Sequence, residues 1–145
     1  MLDLILAVLH HLLVFGLFGV LFSELIVVRR GIGQAAAVRI ASVDFWYGVL
    51  AGLILVVGFS RAIFAAKFWD YYANNGFFWA KIVTFALIGL ISIRPTVCFI
   101  RWRRSGVAPD DAEVTSVRRL IHIEVVLFAL LLGFAAAMAR GYGEF

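Results

Sequence analysis

The amino-acid sequence predicts an all-α integral membrane protein in which four helices form an antiparallel bundle. Of the 145 residues, 64% are hydrophobic and only 15% are charged, whereas soluble domains are about half apolar. Four apolar runs approach or exceed the roughly 20 residues that a helix needs to cross a bilayer. Because backbone polar groups in lipid must be satisfied within the segment, we expect each run to be helical.

The four predicted spans form one transmembrane domain over residues 1–145. They cover approximately residues 4–28, 43–64, 77–102 and 117–139. Short connections make each helix antiparallel to the next one. The first run has no basic leader and no small-residue cleavage pattern, so we interpret it as the first helix of the mature chain.

The basic residues predict which helix ends face the cytoplasm. Eight arginines lie in or beside the first and third connections: Arg29, Arg30, Arg39, Arg101, Arg103, Arg104, Arg118 and Arg119. The other side has only Arg61, Lys67, Lys81 and Arg140. The positive-inside rule therefore places both termini on the extracytoplasmic side of a bacterial inner membrane. Since the net charge of +4 comes from these topology signals, no nucleic-acid partner is expected.

Two adjacent histidines, His10 and His11, interrupt the first apolar run. They lie roughly 9–11 Å below the start of the helix, in the predicted outer half of the membrane. His10 and Glu24 share one helical stripe, because 14 residues make nearly four turns, and the charge of Glu24 directs that stripe inward. His11 is rotated by about 100° and is free to face a neighbouring subunit. Each imidazole needs a partner: a metal, haem iron, another side chain or interfacial water.

Several cations lie on the same side of the membrane as the histidines. Arg61, Lys67 and Lys81 are at helix ends there, near the tryptophans and tyrosines of the second connection. This combination suits a porphyrin, because imidazole binds iron and cations bind propionates. We therefore predict His10 and His11 as metal ligands and the three cations as further cofactor-binding residues. A quinone head group would suit the same side chains, and a hydrogen-bonded packing histidine is the alternative without a ligand.

A second polar layer is predicted in the inner half of the bundle. Glu24, Arg94, His122 and Glu124 can reach this layer and neutralise one another. An ionisable group in a membrane helix costs about 2.5–3.5 kcal/mol on insertion scales, so we expect pairing. The layer is either a structural network that fixes the helix register, or a proton relay or a cytoplasmic ligand pocket. His122 starts near the opposite membrane face from His10, so these two histidines are not expected to share a site.

Several stretches of the sequence resemble known membrane families. "LHHLLVFGLFGVLFSEL" resembles the first helix of HemJ-type protoporphyrinogen oxidases, and "FFWAKIVTFALIGL" is similar to the opening of their third helix. The resemblance implies that His10 and Lys81 match a histidine and a lysine implicated in haem or porphyrin binding; CopD-type membrane domains are related. "DFWYGVLAG", "KFWDYYANN" and "RPTVCFIRWRR" resemble a family of bacterial four-helix membrane proteins of unknown function.

The function predicted from these features is binding of haem b or a porphyrin, for electron transfer or porphyrin oxidation. If the protein is an enzyme, we expect an oxidoreductase. One alternative is a non-enzymatic accessory subunit of a larger membrane complex, such as a respiratory complex. The other is an oligomeric proton-coupled transporter or channel. The expected partners are the lipid bilayer and either further copies of the chain or that larger complex.

Overall fold

The computed structural model is all-helical in the residues that it describes, 1–64 and 68–144. Its helices follow in chain order: α1 Leu2–Val27, α2 Gln34–Phe64, α3 Phe68–Ala73, α4 Gly76–Ser105 and α5 Asp111–Ala139. By length and composition, α1, α2, α4 and α5 can each cross a membrane. The predicted all-α fold is therefore confirmed, and so is the prediction of four helices that are long and apolar enough to span a membrane.

Two of the long helices begin before their predicted apolar spans. The apolar runs predict starts near residues 43 and 117, whereas α2 begins at Gln34 and α5 begins at Asp111. Residues 111–116 are mainly polar, and Gln34, Arg39 and Ser42 interrupt the apolar residues of 34–42, so a search for continuous apolar runs misses both stretches. The short helix α3 is not among the predicted helices, because six residues are far too few to cross a membrane and the prediction rests on membrane-spanning runs.

The four long helices pack side by side around a common core. α1 contacts α2 and α5, while α4 contacts α5 and α2. The centre of the core is apolar and at most 1% exposed, as in Leu17, Leu21, Ile121 and Phe128. Each long helix also presents a large apolar side chain that is 65–69% exposed: Phe15, Val56, Leu90 and Val126. A surface this apolar fits a lipid environment, because soluble monomers rarely expose large contiguous apolar patches.

The α1–α2 and α4–α5 connections lie together at one end of the bundle, which we call the arginine end. They comprise residues 28–33 and 106–110. The Gly31 amide donates to Asp111 Oδ1 at 2.9 Å and so joins the two connections. Gly106, with φ of 70°, ends α4 in the left-handed conformation that glycine favours.

Arg118 caps the C-terminus of α1 from α5. Its Nη1 atom donates to the carbonyl oxygens of Leu25 and Val28, the second at 2.6 Å. The last carbonyls of a helix have no partner within that helix, and the C-terminal end of the helix dipole favours a cation. Arg118 therefore has a structural role at the arginine end in addition to any effect on membrane orientation.

The opposite end, which we call the α3 end, is organised around Asn75. This side chain is 0% exposed. Its Oδ1 atom accepts hydrogen bonds from the amides of Phe77 and Phe78 at 3.0 and 3.2 Å, which caps the start of α4. Its Nδ2 atom donates to the Tyr142 carbonyl at 3.1 Å. One amide side chain thus links α4 to the segment that follows α5.

That segment, residues 140–144, closes onto the start of α4 and is called the tail below. The Gly76 amide donates to the Gly143 carbonyl at 2.9 Å. Gly143 has φ of 84°, and an added Cβ would lie 2.5 Å from Phe77 Cδ2. Only glycine combines this backbone conformation with so little space.

We expect Asn75→Ala to destabilise the detergent-solubilised protein by about 1–3 kcal/mol, measured as a lower thermal unfolding midpoint. The change removes a helix cap, leaves the Phe77 amide without its acceptor and breaks the link to the Tyr142 carbonyl. Asn75→Asp should be intermediate, because it keeps the acceptor and loses the donor. Asn74→Ala is the matched control, since its side chain donates only to the Asp70 carbonyl in α3. Equal effects at both positions would contradict the role given to Asn75.

Candidate functional site

The three histidines differ in their hydrogen bonding. His11 Nδ1 donates to the Ala7 carbonyl at 2.6 Å, and His122 Nδ1 donates to the Arg118 carbonyl at 2.9 Å. Both bonds are made to the preceding turn of the same helix. His10 makes no hydrogen bond to any described residue, and its Nδ1 atom is buried. Because buried polar groups are normally hydrogen-bonded, His10 is the histidine whose environment calls for an additional partner.

His10 lines a cavity of about 160 Å³ near the α3 end. Arg61 and Lys81 line the same cavity. Arg61 Nε is buried without a partner, and Lys81 Nζ lies 5.6 Å from the centroid of the Phe78 ring. Neither cation forms an ion pair with a carboxylate among the described residues. The cavity therefore combines a free imidazole with two positive charges that the bundle itself does not neutralise.

The remaining walls of the cavity are mainly apolar and come from all five helices. They include side chains that the sequence alone does not single out as functional: Val14, Ile54, Tyr72, Phe85, Phe128 and Met138. Tyr72 lies on α3, so the short helix closes part of the site. A few polar groups among apolar and aromatic walls are the usual composition of a ligand pocket.

Gly58 on α2 provides the space that the His10 ring occupies. A Cβ added to Gly58 would lie 3.4 Å from His10 Cε1 and 3.8 Å from Nδ1. The Nδ1 edge of the ring therefore packs near the backbone of α2. The structure thus fixes which side of the ring faces α2 and leaves Nδ1 without a hydrogen bond among the described residues.

Of the predicted cofactor-binding residues, the structure brings together His10, Arg61 and Lys81. His11 is exposed and does not line the cavity. Lys67 lies outside the described residues. Within the described residues there is no group of three or more histidine, cysteine, aspartate or glutamate side chains that could hold a metal ion. An iron carried by an organic cofactor needs fewer protein ligands than such a group provides.

A second polar group lies in the core nearer the arginine end. Glu24 and Glu124 are 3% and 2% exposed, and the Oε1 atom of each has no partner among the described residues. Tyr47 Oη donates to Glu124 Oε2 at 3.2 Å, and Thr96 Oγ1 donates to Asp44 Oδ1 at 3.0 Å. In the described part of the chain, no basic side chain forms an ion pair with these carboxyl groups.

The structure places Arg94 and His122 on the exposed surface and not in this second group. The neighbouring Pro95 is buried, and consecutive residues on a helix point about 100° apart. The long aliphatic stem of an arginine lets its charge reach the membrane interface from such a position. The predicted arginine therefore does not pair with the buried carboxyl groups. Glu124 and Asp44 accept hydrogen bonds from hydroxyl groups instead. Tyr47 and Thr96 are missed by a search for charged residues because they carry no charge.

A sequence model described as "Predicted membrane protein (DUF2214)" matches residues 2–143. The chain belongs to the DUF2214 family. No curated protein and no solved structure matches it, and no resemblance to HemJ-type or CopD-type proteins is shown. For this DUF2214 member, the family description agrees with the four apolar helices on a multi-pass membrane protein.

The packing of His10 against Gly58 predicts how this DUF2214 chain responds to alanine on α2. Gly52→Ala should stabilise the protein by about 0.5–1 kcal/mol through helix propensity, since nothing lies within 4 Å of the added Cβ. Gly58→Ala should gain less, because its Cβ meets the His10 ring. In a His10→Ala background, Gly58→Ala should gain as much as Gly52→Ala does. Thermal unfolding of Gly52→Ala, Gly58→Ala, His10→Ala and the Gly58→Ala/His10→Ala double variant measures these gains. Identical gains at both glycines would rule out this packing.

Proposed function

We propose that the protein binds a tetrapyrrole, haem b or a related porphyrin, in the cavity near the α3 end. One observation carries the proposal: the only histidine without a hydrogen bond among the described residues lines the same cavity as two cations without an ion pair. Imidazole nitrogen is a common ligand of haem iron, and arginine and lysine bind carboxylates such as propionates. The bound group would supply one-electron chemistry.

Each residue of the cavity has a separate task under this proposal. His10 offers Nε2 to iron, while Gly58 leaves room for the ring that carries it. Arg61 and Lys81 neutralise propionates. Met138 and Tyr72 also line the cavity, and both residue types serve as ligands of haem iron. Aromatic walls pack against the macrocycle and exclude water.

The size of the cavity limits how a tetrapyrrole can bind. Pockets for drug-sized ligands are roughly 300–1000 Å³, whereas this cavity holds about 160 Å³. The donor set fits, but binding requires the walls to move apart or part of the ring to lie against lipid. His11 faces outward and would reach iron only from a neighbouring copy. Lys67 stays a propionate partner on sequence grounds alone.

The proposed topology is an antiparallel bundle in a bacterial inner membrane, with both termini on the extracytoplasmic side. The arginine end then lies in the cytoplasm, in agreement with the positive-inside rule. The cavity lies in the outer half, so electron transfer or porphyrin oxidation would occur there.

The visible absorption spectrum of protein purified after haem-replete expression tests the proposal. We expect a Soret band that His10→Ala abolishes and that Lys81→Met weakens by lowering haem occupancy. His122→Ala is the control, because this histidine is exposed and bonds its own helix. A colourless preparation would refute haem binding, and co-purification of that colourless protein with a larger complex would favour an accessory subunit.

A second candidate function, proton transfer within an oligomeric transporter or channel, is favoured by the buried carboxyl groups. Glu24 and Glu124 lie in the core without a described cation, which is an expensive place for two ionised groups. Carboxyl groups that exchange protons with each other and with Tyr47 would avoid this cost. A single four-helix bundle with a packed core offers no continuous pore, so such a function needs several copies.

Proton flux into liposomes that contain the protein distinguishes this second candidate. Glu124→Gln keeps the side-chain size and an acceptor for the Tyr47 hydroxyl, so the thermal unfolding midpoint should change little. It removes the exchangeable proton, so flux should fall to the level of empty liposomes. Asp70→Asn is the control, because Asp70 is exposed on α3. Flux that survives in the Glu124→Gln variant would eliminate the proposed path.

A further inference from the structure

A groove of about 1030 Å³ runs between α2 and α4 on the surface of the bundle. Phe85 is the one described residue that lines both this groove and the His10 cavity. The charged, aromatic and small residues of its lining that matter for binding are Asp44, Trp46, Gly48, Gly89, Arg103 and Arg104. The groove is therefore a separate feature, and the inference drawn from it does not depend on the proposed function.

The lining of the groove changes along α4 from basic to apolar. Arg103 and Arg104 form its rim at the arginine end. Thr96 lies about 10 Å deeper at 1.5 Å per residue, and Phe85 lies about 27 Å deeper. A positive rim above a long, largely apolar channel is complementary to an amphiphile that has an anionic head group and an apolar tail.

The charge at the rim is not neutralised by the bundle. Arg103 and Arg104 are exposed, and neither forms an ion pair or a side-chain hydrogen bond with another described residue. The acidic residue among the lining side chains is Asp44, which accepts a hydrogen bond from Thr96 well below the rim. Basic pockets between membrane helices on the cytoplasmic side bind the head groups of anionic lipids.

Small residues give the deeper part of the groove its width. A Cβ added at Gly48 or at Gly89 would meet nothing within 4 Å, so both positions border open space. Trp46 is 59% exposed, and its indole N–H has no acceptor among the described residues. Tryptophan is enriched at the membrane interface, where ester carbonyls of lipids are available as acceptors.

We propose that this groove is a binding site for an anionic glycerophospholipid. The phosphate binds Arg103 and Arg104, the ester region lies near Trp46, and one acyl chain follows Gly48 and Gly89. A second copy of the chain fits the groove less well. Two copies inserted in the same direction about a two-fold axis would bring their four rim arginines together at one depth.

Native mass spectrometry of delipidated protein, titrated with phosphatidylglycerol or with phosphatidylcholine of the same acyl chains, tests this site. We expect phosphatidylglycerol to bind more tightly. The double variant Arg103→Gln with Arg104→Gln should weaken its binding by roughly 30-fold, since each basic group near an anionic surface contributes roughly fivefold. Gly89→Leu should reduce binding as well, because its side chain occupies the channel and its Cβ meets no protein atom within 4 Å.

The matched control is the double variant Arg29→Gln with Arg119→Gln, which removes the same charge from exposed positions outside the groove. Equal weakening by both double variants, or equal affinity for the two lipids, would overturn the proposal. So would a wild-type dimer that Gly89→Leu converts to a monomer, because the groove would then be a subunit interface. Circular dichroism and the unfolding midpoint establish that each variant is folded.

Discussion

The hydrocarbon core of a membrane offers no hydrogen bond to a polar group that faces it, and this constraint governs the whole bundle. The helical backbone satisfies its own donors and acceptors, so only side chains and helix ends need partners elsewhere. Glu24 and Glu124 accordingly lie in the core, and Arg94 lies on the surface with a stem long enough to reach water. His10 satisfies the constraint poorly, because its Nδ1 atom is buried and the ring forms no hydrogen bond with a described residue.

The helix ends obey the same constraint through side chains that cross between elements. Arg118 serves the carbonyls of α1 from α5, and Asn75 serves both the amides of α4 and the carbonyl of Tyr142. These residues do more than fill vacant hydrogen bonds. Each also fixes the position of one helix end relative to another. Apolar packing alone specifies this position poorly, because lipid tails are as apolar as the side chains of a neighbouring helix.

The parts of the structure that could be predicted are those that depend on composition and helical period. Apolar runs reveal the membrane helices, and the 14-residue spacing of His10 and Glu24 places both on one stripe. The first turns of α2, where Gln34, Arg39 and Ser42 interrupt the apolar residues, cannot be found this way. Nor can the short helix α3, because neither stretch is a long continuous apolar run. Contacts between distant helices, such as Tyr47 with Glu124, depend on how the helices rotate against one another.

The candidate site shows the same division. His10, Arg61 and Lys81 stand out in the sequence as charged or ligating side chains, and they line one cavity. Gly58 and Met138 lie beside them without any comparable signal, since a glycine and a methionine are ordinary residues of membrane helices. Their part in the site comes entirely from packing.

Asn75 joins the tail to the wall of the His10 cavity through hydrogen bonds. Phe78 forms part of that wall, and its backbone amide is held by the same Asn75 that grips Tyr142. A molecule that widened the cavity by pushing Phe78 outward would strain this junction and loosen residues 140–144. Binding of a molecule in the cavity and release of residues 140–144 from the start of α4 would then promote each other.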